Sequence, residues 1–140
     1  MAGYSKRSLA DKLGIKAGHR LLFIGAPAGY VQALSPMPAG AQVITGAQER
    51  LDFIHLFAAD EAQLRLALPR LRNALVQNGM LWVSWPKKSS GVSTDLTENR
   101  VRELGLENRL VDVKVAAVDE TWSGLKFVIR LKDRVPDADA

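Results

Sequence analysis

Cysteine is absent from this chain, which excludes a disulfide scaffold, a thiolate zinc site and thiol catalysis. Histidine occurs twice, as His19 and His55, which leaves little for a metal site. No apolar run approaches the ~20 residues a bilayer crossing needs. Leu21–Gly46 carries no charge, yet Gly25, Pro27, Gly29, Pro36, Pro38 and Gly40 interrupt it. Met1–Arg7 leads into a polar amphipathic stretch instead of an apolar secretory core. The expectation is therefore a cytoplasmic protein with no membrane partner. Internal repeats and low-complexity segments are missing as well.

What remains is the composition of a soluble globular protein: 140 residues, 47% hydrophobic and 24% charged. That length suits one domain with a substantial core. The domain is expected over 1–134, with 135–140 as a frayed tail. The net charge is +4, and all of it lies in Met1–Arg20, where Lys6, Arg7, Lys12, Lys16 and Arg20 face only Asp11. The rest of the chain is balanced. A nucleic-acid-binding face normally spreads its basic residues and interleaves aromatics. One basic terminal segment reads instead as a solvated helix face, and nucleic acid is not expected as a partner.

Periodicity and punctuation predict the elements. Ser5–Leu13 reads as a short helix with Ser5 or Ser8 as cap and Gly14 as stop. Leu21–Ile24 is an apolar strand. Gly25–Gly29 is a turn, Tyr30–Leu34 a short helix or coil, and Pro36–Gly40 a breaker. Gln42–Thr45 and Asp52–Phe57 are strands. Asp60 opens a helix to about Val76 in which Leu64, Leu68, Leu71 and Leu75 form one stripe, with Pro69 as a kink and Asn78-Gly79 as the stop. Met80–Trp85 is a strand and Pro86–Thr94 a polar loop. Asp95 with Glu98 has the spacing of a capping box, opening a helix to Leu104 with Gly105 as its stop. Leu110–Val118 and Leu125–Lys132 are strands joined by the Asp119–Gly124 turn.

Leu21–Ile24, Phe53–Phe57 and Met80–Trp85 are almost wholly apolar, as strands buried on both faces are. The last two alternate. Val111, Val113, Val115 and Ala117 are expected on one face, with Asp112 and Lys114 paired on the other. Apolar strands separated by helices predict a parallel α/β sheet, here a three-layer Rossmann-like domain of about six strands closed by an antiparallel pair. Trp82 and Trp85, three apart, are expected on opposite faces, with Trp82 in the core. His55 reads as a hydrogen-bonded core residue.

This order of elements resembles a shortened class I S-adenosylmethionine-dependent methyltransferase. The run Leu71–Val83 is similar to that fold's helix, turn and strand before its fifth strand, and one helix–strand unit of its first half is missing here. The resemblance implies a cofactor turn after the first strand. Gly25 and Gly29 match its outer glycines, while Phe23 stands at its acid and Pro27 at its middle glycine. Thr45-Gly46 stands where the ribose-binding acid would follow the second strand, and His55, Leu56 and Phe57 replace the Asp or Asn of the fourth. No cofactor is expected on this reading, S-adenosylmethionine included. The segments Pro86–Glu98, Val111–Lys114, Asp119–Lys126 and Lys12–Lys16 also resemble the signatures of a small bacterial family, domain of unknown function 3052, which implies no activity.

Ligands of open α/β sheets bind beyond the carboxyl ends of the strands. If Leu110–Val118 runs parallel to the early strands, three segments meet there: the Gly25–Gly29 turn, the Lys87–Gly91 loop and the Asp119–Gly124 turn. The candidate ligand-binding residues are Gly25, Gly29, Lys87, Lys88, Ser90, Asp119, Glu120 and Trp122. Lys87, Lys88, the hydroxyls and the glycine before a helix suit an anion. A solvated loop whose lysines pair with Asp119 and Glu120 is the plainer reading. Asp119 and Glu120 can be read as an acid/base pair, or as turn residues pointing apart. Trp122 suits a stacked ligand or a lid on the core. The preferred function is a non-catalytic domain that binds a small anion or a protein partner at this edge. The alternative is a divergent S-adenosylmethionine-dependent methyltransferase or other small-molecule enzyme. An exposed sheet edge leaves room for a homodimer, and no metal site is expected.

Overall fold

The computed structural model describes residues 7–46 and 50–135. Six strands form one sheet: β1 (Arg20–Ile24), β2 (Gln42–Val43), β3 (Leu51–Phe57), β4 (Leu75–Pro86), β5 (Leu110–Ala117) and β6 (Trp122–Ile129). Their spatial order is β2-β1-β3-β4-β6-β5. The first four are mutually parallel, and β6 runs antiparallel to both β4 and β5. β5 therefore points the same way as β1, β3 and β4. The helices are α1 (Leu9–Leu13), α2 (Tyr30–Ala33), α3 (Glu61–Ala74) and α4 (Glu98–Glu107). This is the shortened Rossmann-like, methyltransferase-like architecture that the order of elements predicts.

The sheet separates two apolar clusters, because alternate residues of a strand face opposite ways. Ile54 and Leu56 of β3 and Leu81, Val83 and Trp85 of β4 pack with Leu64, Leu68 and Leu71 of α3 and with Val101 and Leu104 of α4. Phe53 and Phe57 of β3 and Trp82 of β4 pack on the other side with Leu13 of α1 and Tyr30 of α2. Trp82 and Trp85 thus do face opposite sides. α1 is held to the sheet by its own carbonyls. Its C-terminal Leu13 carbonyl accepts from Trp82 Nε1 (2.8 Å), and the Lys12 carbonyl accepts from Lys114 Nζ (2.9 Å). Ser8 caps its start through Asp11 N, and Gly14 ends it in the left-handed region at φ +92°, where a side chain would be strained. Ser5 lies outside the described residues, as do Lys6 and the tail beyond Val135.

Several boundaries differ from the sequence expectation. α3 stops at Ala74, and Leu75 is already extended and paired with Leu51. Asn78-Gly79 therefore lies inside β4 as part of an irregular register, and Leu75 leaves the leucine stripe for the strand. The cap of α4 is Thr97, whose hydroxyl accepts from Arg100 N (3.2 Å). Asp95 accepts instead from Glu61 N at the start of α3 (2.8 Å). Gly105 is no stop: it is buried within α4, where a Cβ would stand 2.2 Å from Phe127 Cε1. β2 is two residues long, and β6 begins at Trp122 and ends at Ile129.

The largest difference is in β5. Its register against β6 shifts between Asp112 and Lys114, so Val113 is an extra residue, and such a bulge inverts the phase of everything beyond it. Asp112 consequently faces α4 and receives Arg102 Nε (2.9 Å). Lys114 faces α1. The two do not pair, and Val113 and Val115, expected on one apolar face, are both more than half exposed.

Candidate functional site

Parallel β5 delivers its turn to the same rim as the turns after β1 and β4. Two hydrogen bonds join the last two directly. Lys87 N donates to the Thr121 carbonyl (2.8 Å), and Lys87 Nζ donates to the Asp119 carbonyl (2.7 Å). The link to the first turn is aromatic. The Trp122 ring meets Phe57 edge-on at 5.2 Å, and Phe57 meets Tyr30 at 4.9 Å. A Cβ on Gly25 would stand 2.8 Å from the Phe57 carbonyl, so only glycine permits β1 to end this close to β3. Gly29, at φ +87°, faces open space.

Most polar groups at this rim hold its own backbone. Asp119 Oδ1 accepts from both Thr121 N and Trp122 N at 2.8 Å, an Asx turn that fixes the hairpin. It is thereby unsuited to the acid/base role considered for Asp119 with Glu120. Ser90 Oγ donates to the Lys87 carbonyl (2.6 Å) and accepts from Val92 N (3.2 Å). The lysines do not pair with Asp119 and Glu120 through carboxylates, since Lys87 reaches a main-chain oxygen. Lys88 and Glu120 are exposed and free of such duties. Lys87→Met should therefore lower stability by about 1 kcal/mol, the net worth of one hydrogen bond, while Lys88→Ala should change it by less than about 0.5 kcal/mol. Urea unfolding of both variants checks this, and equal losses would contradict the division of roles.

The loop after β4 is also tied to α3. Thr94 Oγ1 donates to the Ala59 carbonyl (2.6 Å), and Asp60 caps α3 through Gln63 N (2.8 Å). Glu61 receives Arg100 through both carboxylate oxygens (2.7 and 2.8 Å) and Arg65 Nε at 2.8 Å. These guanidinium hydrogen bonds, Arg100 foremost, pull the Glu61 carboxyl down to about 2. Beneath the rim, His55 is fully buried between Tyr30 Oη (2.6 Å to Nδ1) and Ser84 Oγ (2.8 Å to Nε2). Burial pushes the imidazole down to about 3 and raises the Tyr30 phenol. The ring is a neutral link from α2 through β3 to β4, as its apolar strand suggests.

One feature was not singled out from sequence. Among the described residues no helix stands between β2 and β3, and Leu22 and Ile24 of β1 stay half-buried. A groove of about 610 Å³ opens there, lined by Leu22, Ile24, Gly25 and Gly46 on one side and by Arg70 and Leu71 of α3 on the other. Its signal in the sequence is the missing helix–strand unit. Among the described residues no group of three His, Asp or Glu is arranged to hold a metal, and no helix is long and apolar enough to cross a membrane.

No protein-family model and no curated protein matches this sequence. Solved structures do match in fold. A SAM-dependent methyltransferase from Aquifex aeolicus is 13% identical with a TM-score of 0.63, over 87% of this chain and 88% of that one. Fibrillarin from Aeropyrum pernix, solved with natively bound S-adenosyl-L-methionine, is 16% identical with a TM-score of 0.58, over 86% and 73%. Magnesium protoporphyrin IX methyltransferase from Synechocystis, also with the cofactor bound, is 11% identical with a TM-score of 0.57, over 87% and 74%. At such identities the likeness concerns the fold. The described residues of the first turn do not fit the cofactor in the family's manner. The Phe23 ring packs edge-on against Tyr30 (5.1 Å) and Phe53 (6.3 Å), and Pro27 has no N–H, offering only a carbonyl that accepts from Tyr30 N. Thr45 and Gly46 supply no carboxylate after β2.

Proposed function

We propose that this chain is a binding domain on the methyltransferase fold, without chemistry of its own, and that its carboxyl rim receives a small anionic ligand. The observation that carries this reading is the use made of the rim's polar groups. Asp119, Lys87, Ser90 and Asp60 are all spent on main-chain groups, and His55 is sealed below. A rim so held is preorganised, which favours binding, and its exposed carboxylate, Glu120, has no partner among the described residues to orient it for proton transfer. Lys88 supplies the accessible charge and Trp122 an apolar wall. A protein partner presenting an anionic side chain would use the same surface. The motifs in Pro86–Glu98 support membership of the bacterial family of unknown function 3052, and we take the protein to be cytoplasmic.

Methyl transfer is the second reading, favoured by one observation. The Aquifex methyltransferase and this chain cover each other almost equally, so a short chain is no bar to that activity. Two of the solved neighbours hold S-adenosylmethionine, which makes it the first ligand to test. Thermal unfolding with S-adenosylmethionine and with a panel of nucleotides separates the readings. A ligand at 100 times its Kd adds about 2.7 kcal/mol. A shift with a nucleotide or other anion, lost in Lys88→Ala and absent with S-adenosylmethionine, is the expected result. A clear shift with S-adenosylmethionine would replace the first reading with the second.

A further inference from the structure

A second positively charged site lies away from the rim, on the face of the sheet that α1 covers. Lys114 of β5 and Lys126 of β6 are direct cross-strand partners, so their side chains leave the same face side by side. Like charges so placed destabilise a sheet. Lys114 reaches the C-terminal turn of α1 and donates to the Lys12 carbonyl (2.9 Å). Lys126 comes to the next residues of that turn, where its Nζ would lie 3.5 Å from a Cβ on Gly14. Lys16 follows two residues later and acts electrostatically on Lys126 together with Lys114. No carboxylate bonds any of these three lysines among the described residues. Lys126 is half-buried and makes no hydrogen bond there. Burial and the two neighbouring ammonium groups hold its pKa below the usual lysine value.

Folding alone does not call for this arrangement. A polar residue at position 126 would cover the same face without repulsion, and Lys114 alone satisfies the α1 carbonyl. Sites that break a local rule without structural gain are where function is expected. We propose that Lys16, Lys114 and Lys126 form a binding site for a phosphoryl group carrying at least two negative charges. Three ammonium groups are compact point charges with several donors each, suited to a phosphate more than to the planar two-pronged grip of a carboxylate. A dianion would neutralise the cross-strand pair and use the protons that Lys126 leaves unspent. This site is independent of the Lys88 rim and of any reading built on it.

The test is thermal unfolding of the whole chain in inorganic pyrophosphate, with sodium chloride at matched ionic strength as the control for screening. The expected result is a midpoint several degrees higher in pyrophosphate than in the control. Lys126→Met should abolish that difference and should itself melt higher than the wild type in the absence of pyrophosphate, since it removes a repelled, half-buried charge. A structural lysine would behave oppositely. A wild-type shift no greater than the sodium chloride control overturns the proposal. So does a Lys126→Met protein that melts lower, or one that keeps the pyrophosphate shift. A shift that survives Lys126→Met but disappears in Lys88→Ala assigns the anion to the rim. A second arm, comparing a nucleoside diphosphate with an oligonucleotide, identifies the source of the group. Binding by the diphosphate alone points to a free phosphorylated metabolite, and binding that strengthens with oligonucleotide length points to a nucleic-acid backbone.

Discussion

Gly105→Ala is expected to destabilise the protein by about 3 kcal/mol, at the upper end of the usual cost of overpacking a core, although alanine is the better helix former by about 1 kcal/mol. The reason is the distance between α4 and β6. A Cβ at 105 would lie 2.2, 2.6 and 2.9 Å from three atoms of the Phe127 ring. That ring is fully buried and belongs to a strand paired on both sides, so it has no loose end to swing aside. α4 must lift away from the sheet, and Val101 and Leu104 lift with it. A domain of ordinary stability holds only 5–15 kcal/mol in total, so the melting midpoint should fall by roughly 10 °C. The second variant makes the cause testable. Phe127→Leu removes the clashing ring edge, and adding it to Gly105→Ala should restore part of the loss, a coupling expected only of residues in contact. Gly91→Ala, whose Cβ meets nothing within 4 Å, should cost less despite its positive φ. A Gly105→Ala protein as stable as the wild type would mean that α4 and β6 do not approach this closely.

The same glycine shows where a single sequence stops being readable. A glycine near the end of a periodic stretch is either a C-terminal stop or a point of close packing, and only the partner across the gap decides. Phe127 lies 22 positions away, and nothing local points to it. Asn78-Gly79 misleads in the same manner, since its turn chemistry is used within an irregular strand. The class of sheet, mainly parallel with an antiparallel closing pair, was legible because it depends on local facts: apolar runs buried on both faces, helices between them, and a short turn joining the last two. The meeting of the Lys87 loop with the Asp119–Trp122 turn hung on the direction of β5, which the sequence left open; β5 does run parallel to β4, and the two Lys87 hydrogen bonds realise the meeting. The duties of individual residues at that rim were not legible. Whether a turn aspartate is a free acid or an Asx cap depends on two backbone dihedrals. The bulge at Val113 was hidden for a related reason. An alternating pattern records the phase of a strand but not an inserted residue, so it assigns Asp112 and Lys114 to one face, and the insertion puts them on opposite ones. The cross-strand meeting of Lys114 with Lys126 became visible only with that register.

His55 makes stability depend on pH in a window where few other groups act. Its imidazole is pushed down to about 3 by burial, against about 6.5 in an unfolded chain. Between these values the unfolded state binds a proton that the native state refuses, so stability rises with pH and is complete only above about 6.5. Below that it should fall by on the order of 1.4 kcal/mol per pH unit, or roughly 2.7 kcal/mol by pH 4.5. Glu61, pulled down to about 2 by its arginines, stabilises the fold above its unfolded value near 4.5 and loses that contribution only as the pH falls further. The interval from 6.5 to 4.5 therefore isolates the histidine. The hydrogen bonds explain why it tolerates so apolar a site. With Nδ1 on Tyr30 and Nε2 on Ser84, either tautomer of the neutral ring is satisfied on both nitrogens, one donating and one accepting, whereas the imidazolium would force two donors on these partners and leave a charge among Phe53, Phe57 and Trp82. His55→Phe should remove the pH slope but cost about 2–3 kcal/mol at pH 7, because it strands two buried hydroxyls. Replacing all three, Tyr30→Phe with His55→Phe and Ser84→Ala, should recover much of that cost while keeping the flat profile. Urea unfolding at pH 7.5, 6.0, 5.0 and 4.5 reads both effects, and a wild-type protein equally stable at 7.5 and 4.5 would show that the ring is not sealed from protons.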